Sequence, residues 1–464
     1  MSGRLGSPLA RAGGLIRRYD SALWIRICGN AVTATTTFLI RPFLALYLYE
    51  QSGGSLLLAM LVIGLQPFAS MVTSFVGGGL SDRLGRRPVM IGALLLQAAC
   101  MGAYAFAEQV WTFAAITAVM GVGSALFNPA ANAMVADVVP GERQREVFAL
   151  LHTASNVGAA FGPAVGLLLL RAGENVVFAA GAALLLAYLF LVLSKVPETR
   201  PGSARRQAGA VARGADAEQQ GASPGAADGA DAAEGRTPAV PEAADAADAA
   251  RGRTLSAPDA AARRRALLGM TSLAMPIGLV FALVISILPF HFGESFARPE
   301  DVLASLMTFN GILVISLQLW IIARTKRMSA SFAAAVSYGM FAAVSVGYAF
   351  STVLLLLFVV ELVFSVAEML IGPHLQNTVA ELAPEQERGY YFAIFGLHMH
   401  VPLAIGPVLG GLLYSATDGA VLFSALGALF VACGILQALL IRRIRSGGLG
   451  AARRAGSAAI DASA

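Results

Sequence analysis

An all-helical membrane fold, with twelve spans in two pseudo-symmetric six-helix bundles, is predicted by three features of the chain. Hydrophobic residues make up 57% of it and charged residues 13%, a balance that a soluble protein of this length does not need for its core. The apolar residues are gathered in runs of roughly 20, the length that crosses a bilayer as a helix. Positions 244 apart also repeat one another over three of the runs.

Taken in order, the first run extends from Ser21 to Tyr49, too long for the apolar core of a cleaved leader, so it stays as a span. It is followed by Ser55–Leu80, Pro88–Ala107, Val110–Ala136, Val147–Leu170 and Asn175–Val196. From 197 to 265 the pattern stops and Ala, Gly, Asp, Glu, Pro and Arg take over, as in Ala243-Ala244-Asp245-Ala246-Ala247-Asp248. Such a segment buries too little apolar surface to offset its ordering entropy, and a disordered cytoplasmic linker is expected. The second bundle resumes with Ala266–Phe292, Val302–Ala323, Ser331–Phe350, Thr352–Leu382, Tyr390–Ser415 and Ala420–Ile441. The bundles thus occupy 21–196 and 266–441, with tails at 1–20 and 442–464.

The cations fall in alternate loops. One side holds Arg83, Arg86, Arg87, Arg143, Arg145, Arg324, Lys326, Arg327 and Arg388, the other only Arg171 and Arg298. Because cytoplasmic loops carry the excess of Lys and Arg, both tails and the linker are expected to be cytoplasmic. The net charge of +5 is therefore a matter of topology. It points to a lipid bilayer as the partner and away from nucleic acid. An ATP-driven pump is disfavoured, since Lys195 and Lys326 are the only lysines and neither sits in a glycine-rich phosphate loop. No paired base and nucleophile is spaced for hydrolysis, no metal cluster is suggested, and no enzyme is expected.

The repeat places Pro129 on Pro373, Val135 on Val379, Pro140 on Pro384, Phe148 on Phe392, Gly162 on Gly406, Pro163 on Pro407 and Gly166 on Gly410. Two halves related in this way, by an axis along the membrane normal, enclose a site at the midplane and rock about it.

Between the second and third runs lies a tight charged turn with Gly78, Asp82, Arg83, Gly85, Arg86 and Arg87. It resembles the signature loop of the major facilitator superfamily of secondary transporters, which reads Gly, three residues, Asp-Arg, one residue, Gly-Arg-Arg. The resemblance implies a gating cluster of Asp82 and Arg86 with an acid at the cytoplasmic end of the fourth span, where Asp137 stands; in the family this cluster stabilises the outward-open state. In the fifth span Gly158, Gly162, Pro163 and Gly166 are similar to the helix-bending signature of the drug and proton antiporter branch, the bacterial multidrug efflux type. Gly406, Pro407 and Gly410 answer them in the eleventh. That branch usually carries an arginine where this chain has Thr117, and it often has a mid-helix acid on the first span, which is lacking here. The resemblance implies a monomer in the bacterial inner membrane. Its driving force would be a proton gradient instead of a cofactor, and its cargo a small organic solute or drug.

Candidate site residues follow from cost and spacing. Arg26, Asn30, Thr33, Thr37 and Arg41 are three and four apart, so at about 100° per residue they share one face, a stripe suited to a wet cavity. Arg26, near the cytoplasmic end, is expected to snorkel. Arg41 lies deeper, where a cation needs water or a counter-ion. On the tenth span Glu361 and Glu368 share a face, and Glu368, nearer the centre, is the expected proton carrier; a fixed ion pair with Arg41 is the alternative. Ser124 and Asn128 on the fourth span and Asn156 on the fifth are further cavity candidates. His398 and His400 are two apart and point in opposite directions, so only one of them can reach the cavity, and His398 is the candidate. The expectation is proton-coupled efflux by alternating access, with an importer or facilitator of a sugar or organic acid as one rival and a non-transporting sensor or scaffold as another.

Overall fold

A computed structural model describes residues 20–77, 80–198, 257–384 and 387–446. The described residues form fourteen α-helices and no strand. In chain order they are α1 (Ser21–Gln51), α2 (Leu56–Gly77), α3 (Leu80–Leu84), α4 (Arg86–Tyr104), α5 (Val110–Val138), α6 (Gly141–Leu170), α7 (Glu174–Lys195), α8 (Ala257–Ser286), α9 (Leu288–Gly293), α10 (Pro299–Thr325), α11 (Ala330–Phe350), α12 (Leu354–Leu382), α13 (Arg388–Ala416) and α14 (Gly419–Ser446). All but the short α3 and α9 are long and apolar enough to cross a membrane, which gives twelve spans.

Local chemistry sets several of the helix ends. Asp20 caps α1 by accepting the Ser21 amide at 2.6 Å, and Ser329 caps α11 by accepting the Phe332 amide at 3.3 Å. The seventh apolar run, read as continuous to Phe292, instead breaks at Ile287. Pro289 has no amide to bond the preceding turn, so the helix restarts there as α9. Two helices are longer than hydropathy suggests: α8 begins at Ala257, inside the stretch expected to be linker, and α14 continues to Ser446. Both extensions are arginine-rich turns that a hydropathy count cannot see.

Packing reproduces the repeat, and carries it further than sequence identity does. Within the first six spans α1 packs on α6, α2 on α5, and α4 on both α5 and α7; within the second six, α10 packs on α12, and α11 on both α12 and α14. A side chain at Gly162 would stand 2.9 Å from the Thr35 carbonyl and 2.8 Å from Phe38, while one at Gly406 would meet Leu279 at 3.1 Å and Ala282 at 2.9 Å. Gly166 closes on Leu39 and Gly410 on Leu283. Thr35, Phe38 and Leu39 map onto Leu279, Ala282 and Leu283 at the same offset of 244. The residues have diverged, but the helix crossing has not.

These glycines therefore act by close approach. Helix α6 runs unbroken through Pro163 and α13 through Pro402 and Pro407. A Cβ on Gly166 would collide with the Leu39 carbonyl oxygen, a backbone atom that moves only with its helix. Gly166→Ala is accordingly expected to lower the thermal stability of the detergent-purified protein by about 1–3 kcal/mol of overpacking. Gly92→Ala, with nothing within 4 Å, should be neutral or mildly stabilising.

The two sets of spans meet along α2 with α13 and α6 with α10. Gly64 approaches the Ala404 carbonyl and Gly311 approaches Ala160, and Ala160 and Ala404 are themselves repeat partners. Asn156 donates across the second of these seams to Gln318 at 3.2 Å. Outward, Leu319, Leu355 and Phe190 are among many exposed apolar side chains, the surface that hydrocarbon covers.

Candidate functional site

A cavity of about 210 Å³ opens beside α1. Thr33, Thr37 and Arg41 reach it from α1, Gln66 and Ser70 from α2, Gln97 and Tyr104 from α4, and Thr117 and Ser124 from α5; Ile285, His400 and Leu403 close it from the second six spans. The helical stripe on α1 thus does face polar space over its last two turns before Pro42. The guanidinium of Arg41 lies over the Phe38 ring, 4.5 Å from its centroid, a favourable cation–π contact that leaves the N–H edge unused.

Four of the cavity candidates stand elsewhere. Asn30 is a turn too early. It donates to the Leu151 carbonyl at 2.7 Å and to Ser155, and accepts from Arg26 at 3.0 Å, so α6 crosses α1 where the cavity would otherwise reach. Asn128 is exposed and apart from the lining. Asn156 is taken up by Gln318 and His152 at the α6–α10 seam. His398 stacks on Phe395, with centroids 4.3 Å apart, and its Nδ1 engages the Phe395 carbonyl at 2.5 Å. His400, facing the other way, lines the cavity.

Arg26 does not snorkel. It is 2% exposed, with Nη1 on Asn30 at 3.0 Å, Nη2 on Asn132 at 3.3 Å, and its plane 5.6 Å from the centre of the Phe127 ring. Gly29 makes this possible, because the Tyr188 ring occupies the place where a Cβ would be. Among the described residues no carboxylate pairs with Arg26 or with Arg41.

The tenth-span acids lie in one hydrogen-bonded chain. Tyr348 donates its hydroxyl to Glu361 Oε2 at 2.7 Å in a fully buried setting. Ser365 donates to the Glu361 carbonyl at 2.8 Å, and the Asn310 amide donates to Ser365 Oγ at 2.9 Å and to Glu368 Oε2 at 3.3 Å. No Lys or Arg forms an ion pair with either acid among the described residues, and the alternative of a fixed pair with Arg41 does not hold. The repeat explains the layout. Tyr104 bonds Thr117 at 2.8 Å, and these two are the counterparts of Tyr348 and Glu361; Gln66 and Ser124 are the counterparts of Asn310 and Glu368. One polar frame is built twice, neutral in the first copy and acidic in the second.

At the charged turn, Arg86 Nε meets Asp137 Oδ2 at 3.2 Å, joining the start of α4 to the end of α5. Glu198, just past α7, accepts the Arg86 backbone amide at 2.9 Å. Sequence reasoning overlooked this acid, since a cap supplied from 112 residues away leaves no local signal. Gly85 sits at φ 103° with Glu198 packed where a side chain would project, which accounts for glycine there. Arg87 donates to the Leu193 carbonyl, and Arg83 is exposed. Gly78 lies outside the described residues, as does the side chain of Asp82.

A duplicated set of six spans with a polar cavity, interior acids and a charged turn between the second and third spans is the architecture of a multi-pass transporter. Comparison with known families agrees: the chain matches the Major Facilitator Superfamily over residues 27–379, and again over 270–458, and belongs to that family. Among its relatives is an uncharacterised MFS-type transporter, YhjO, of Bacillus subtilis (strain 168), 29% identical over 427 residues that cover 92% of this chain and 95% of YhjO. The multidrug resistance protein MdtH of Klebsiella pneumoniae (strain 342) is 28% identical over 158 residues, 34% of this chain and 39% of MdtH. Among solved structures, a POT family transporter in complex with 5-aminolevulinic acid superposes with a TM-score of 0.68 over 91% of this chain and 96% of its own, at 13% identity. At that identity the likeness is one of fold.

Proposed function

We propose that the protein is a proton-coupled secondary transporter that exports a small organic solute from the cytoplasm of a bacterium by alternating access, from the inner membrane, with both termini inside. The observation that carries this reading is the cation-free chain from Tyr348 through Glu361, Ser365 and Asn310 to Glu368. Carboxyl groups inside a membrane protein are costly unless function requires them. A carboxyl held by a hydroxyl or an amide, and not by a guanidinium, can gain and lose a proton without an ion pair having to break. Glu368 is the proton carrier in this scheme, and Glu361, 5% exposed, its sealed companion. The partial likeness to MdtH, a multidrug resistance protein, supports export over import. The latch of Arg86 and Asp137 holds the cytoplasmic ends of α4 and α5 together while the cavity faces out.

Proteoliposomes with an imposed pH gradient test this with a panel of ethidium, norfloxacin, benzoate and xylose. At least one should accumulate against its gradient, and collapse of the pH difference by an ionophore should stop it. Movement that equilibrates the solute but never concentrates it would instead make the protein a facilitator, and absence of any flux would favour a non-transporting role.

A further inference from the structure

The two copies of the repeat have divided charge between them. At the offset of 244, Arg41 is answered by Ile285 and Arg26 by Met270, whereas Thr117 is answered by Glu361 and Ser124 by Glu368. Of these paired positions, the cations belong to the first copy and the acids to the second. The cavity inherits this split, because it is walled mainly by the first copy and receives Ile285, His400 and Leu403 from the other. None of its lining residues is Asp or Glu. Arg41 is its one permanent charge, and among the described residues the guanidinium makes no ion pair and no hydrogen bond. The same cavity is lined by neutral polar groups: Thr37 one turn before Arg41 on α1, Gln66 and Ser70 on α2, and Gln97 on α4.

An arginine in such a place presents a planar fork of donors to the cavity, geometry that matches carboxylate, phosphate or sulfonate oxygens. Desolvating a cation without a partner is costly, and an anionic cargo would supply the partner that the protein does not. A cationic solute would meet repulsion and find no acid in the lining to offset it. We propose that the cavity binds an organic anion, with Arg41 as the residue that anchors its charged group. This deepens the transporter reading and rests on it: the cargo's charge is met in the first copy and the proton is handled in the second, so the two need not compete for one side chain.

Cavity potential can be read without knowing the natural cargo. With Cys28, Cys100 and Cys433 replaced by alanine, Thr37→Cys places a thiol on an exposed lining position. Its modification rates by sulfonatoethyl and trimethylammonioethyl methanethiosulfonate are each divided by the rate for free 2-mercaptoethanol. The anionic reagent should be favoured by about tenfold or more, the scale expected of one partly desolvated charge nearby. Arg41→Gln should bring the ratio to about one, and Arg41→Lys should keep the preference. In parallel, benzoate, phenylphosphonate and benzenesulfonate should raise the melting temperature of the purified protein more than methyl benzoate does, and Arg41→Gln should remove the difference. A ratio near one in the parent, a ratio unmoved by Arg41→Gln, or equal responses to anions and ester would overturn the proposal. An anion-selective cavity in a protein that moves no solute in liposomes would instead count against the transporter reading alone.

Discussion

Glu368→Gln is expected to abolish uphill accumulation of solute in proteoliposomes while leaving downhill exchange in place. For one-for-one exchange, each unit of pH gradient supports about a tenfold solute gradient, so the wild-type ratio should track the imposed gradient and the variant's should stay near one. Glutamine has the shape of the protonated acid and can still accept from Asn310, which donates to Glu368 at 3.3 Å. The substitution therefore removes the proton and little else. Glu361→Gln should behave differently. Its partner Tyr348 is fully buried and donates at 2.7 Å, an interaction that glutamine also accepts, so accumulation should fall less than it does in Glu368→Gln. Tyr348→Phe is the disruptive change there, since it leaves a sealed carboxyl without its donor, at a cost of about 1–3 kcal/mol.

Arg86→Ala is expected to have the second large effect. The arginine side chain is 10% exposed and Asp137 35% exposed, and the two meet at 3.2 Å. Their separation is worth more than a surface pair, yet less than a fully buried one, and about 1–2 kcal/mol is a reasonable scale. If the latch weights one access state over the other, a shift of that size changes their ratio by about tenfold. Exchange should slow by a comparable factor, with the protein still folded. Asp137→Asn should slow it less, because the amide still accepts a hydrogen bond from Arg86 Nε. A folded Arg86→Ala protein with wild-type exchange would remove the latch from the account.

Much of this architecture was legible in the sequence, for reasons that can be named. Hydrocarbon leaves a chain few ways to satisfy its backbone, so span number follows from run length and from the alternation of Arg and Lys. The repeat was visible where Gly162 and Gly406 each admit a neighbouring helix, since a Cβ at either position would press on that helix. It faded between α1 and α8, where Thr35 faces Gly162 and Leu279 faces Gly406; many side chains fill such a gap.

The cavity was harder to read. Periodicity put Asn30, Thr33, Thr37 and Arg41 on one face, but it cannot show where a second helix crosses that face, and Asn30 was lost to α6 at that point. His398 and His400 posed the same difficulty in another form: spacing says they diverge, and only the rotation of α13 says which of them looks inward. Arg26 was misjudged because its shelter is built by Gly29 and Tyr188, residues 159 apart. Glu198 belongs to the same class, as an acid with no local pattern whose role depends on α7 ending beside α4.

The most direct test of the account is to follow proton and solute movement together in one preparation of proteoliposomes, with a pH-sensitive dye inside and a solute from the panel labelled. Coupling through the acids of the second copy predicts a proton flux opposite and proportional to the solute flux, and its disappearance in Glu368→Gln while solute exchange continues. Solute flux without proton movement in the wild type, or proton flux undiminished in Glu368→Gln, would contradict it.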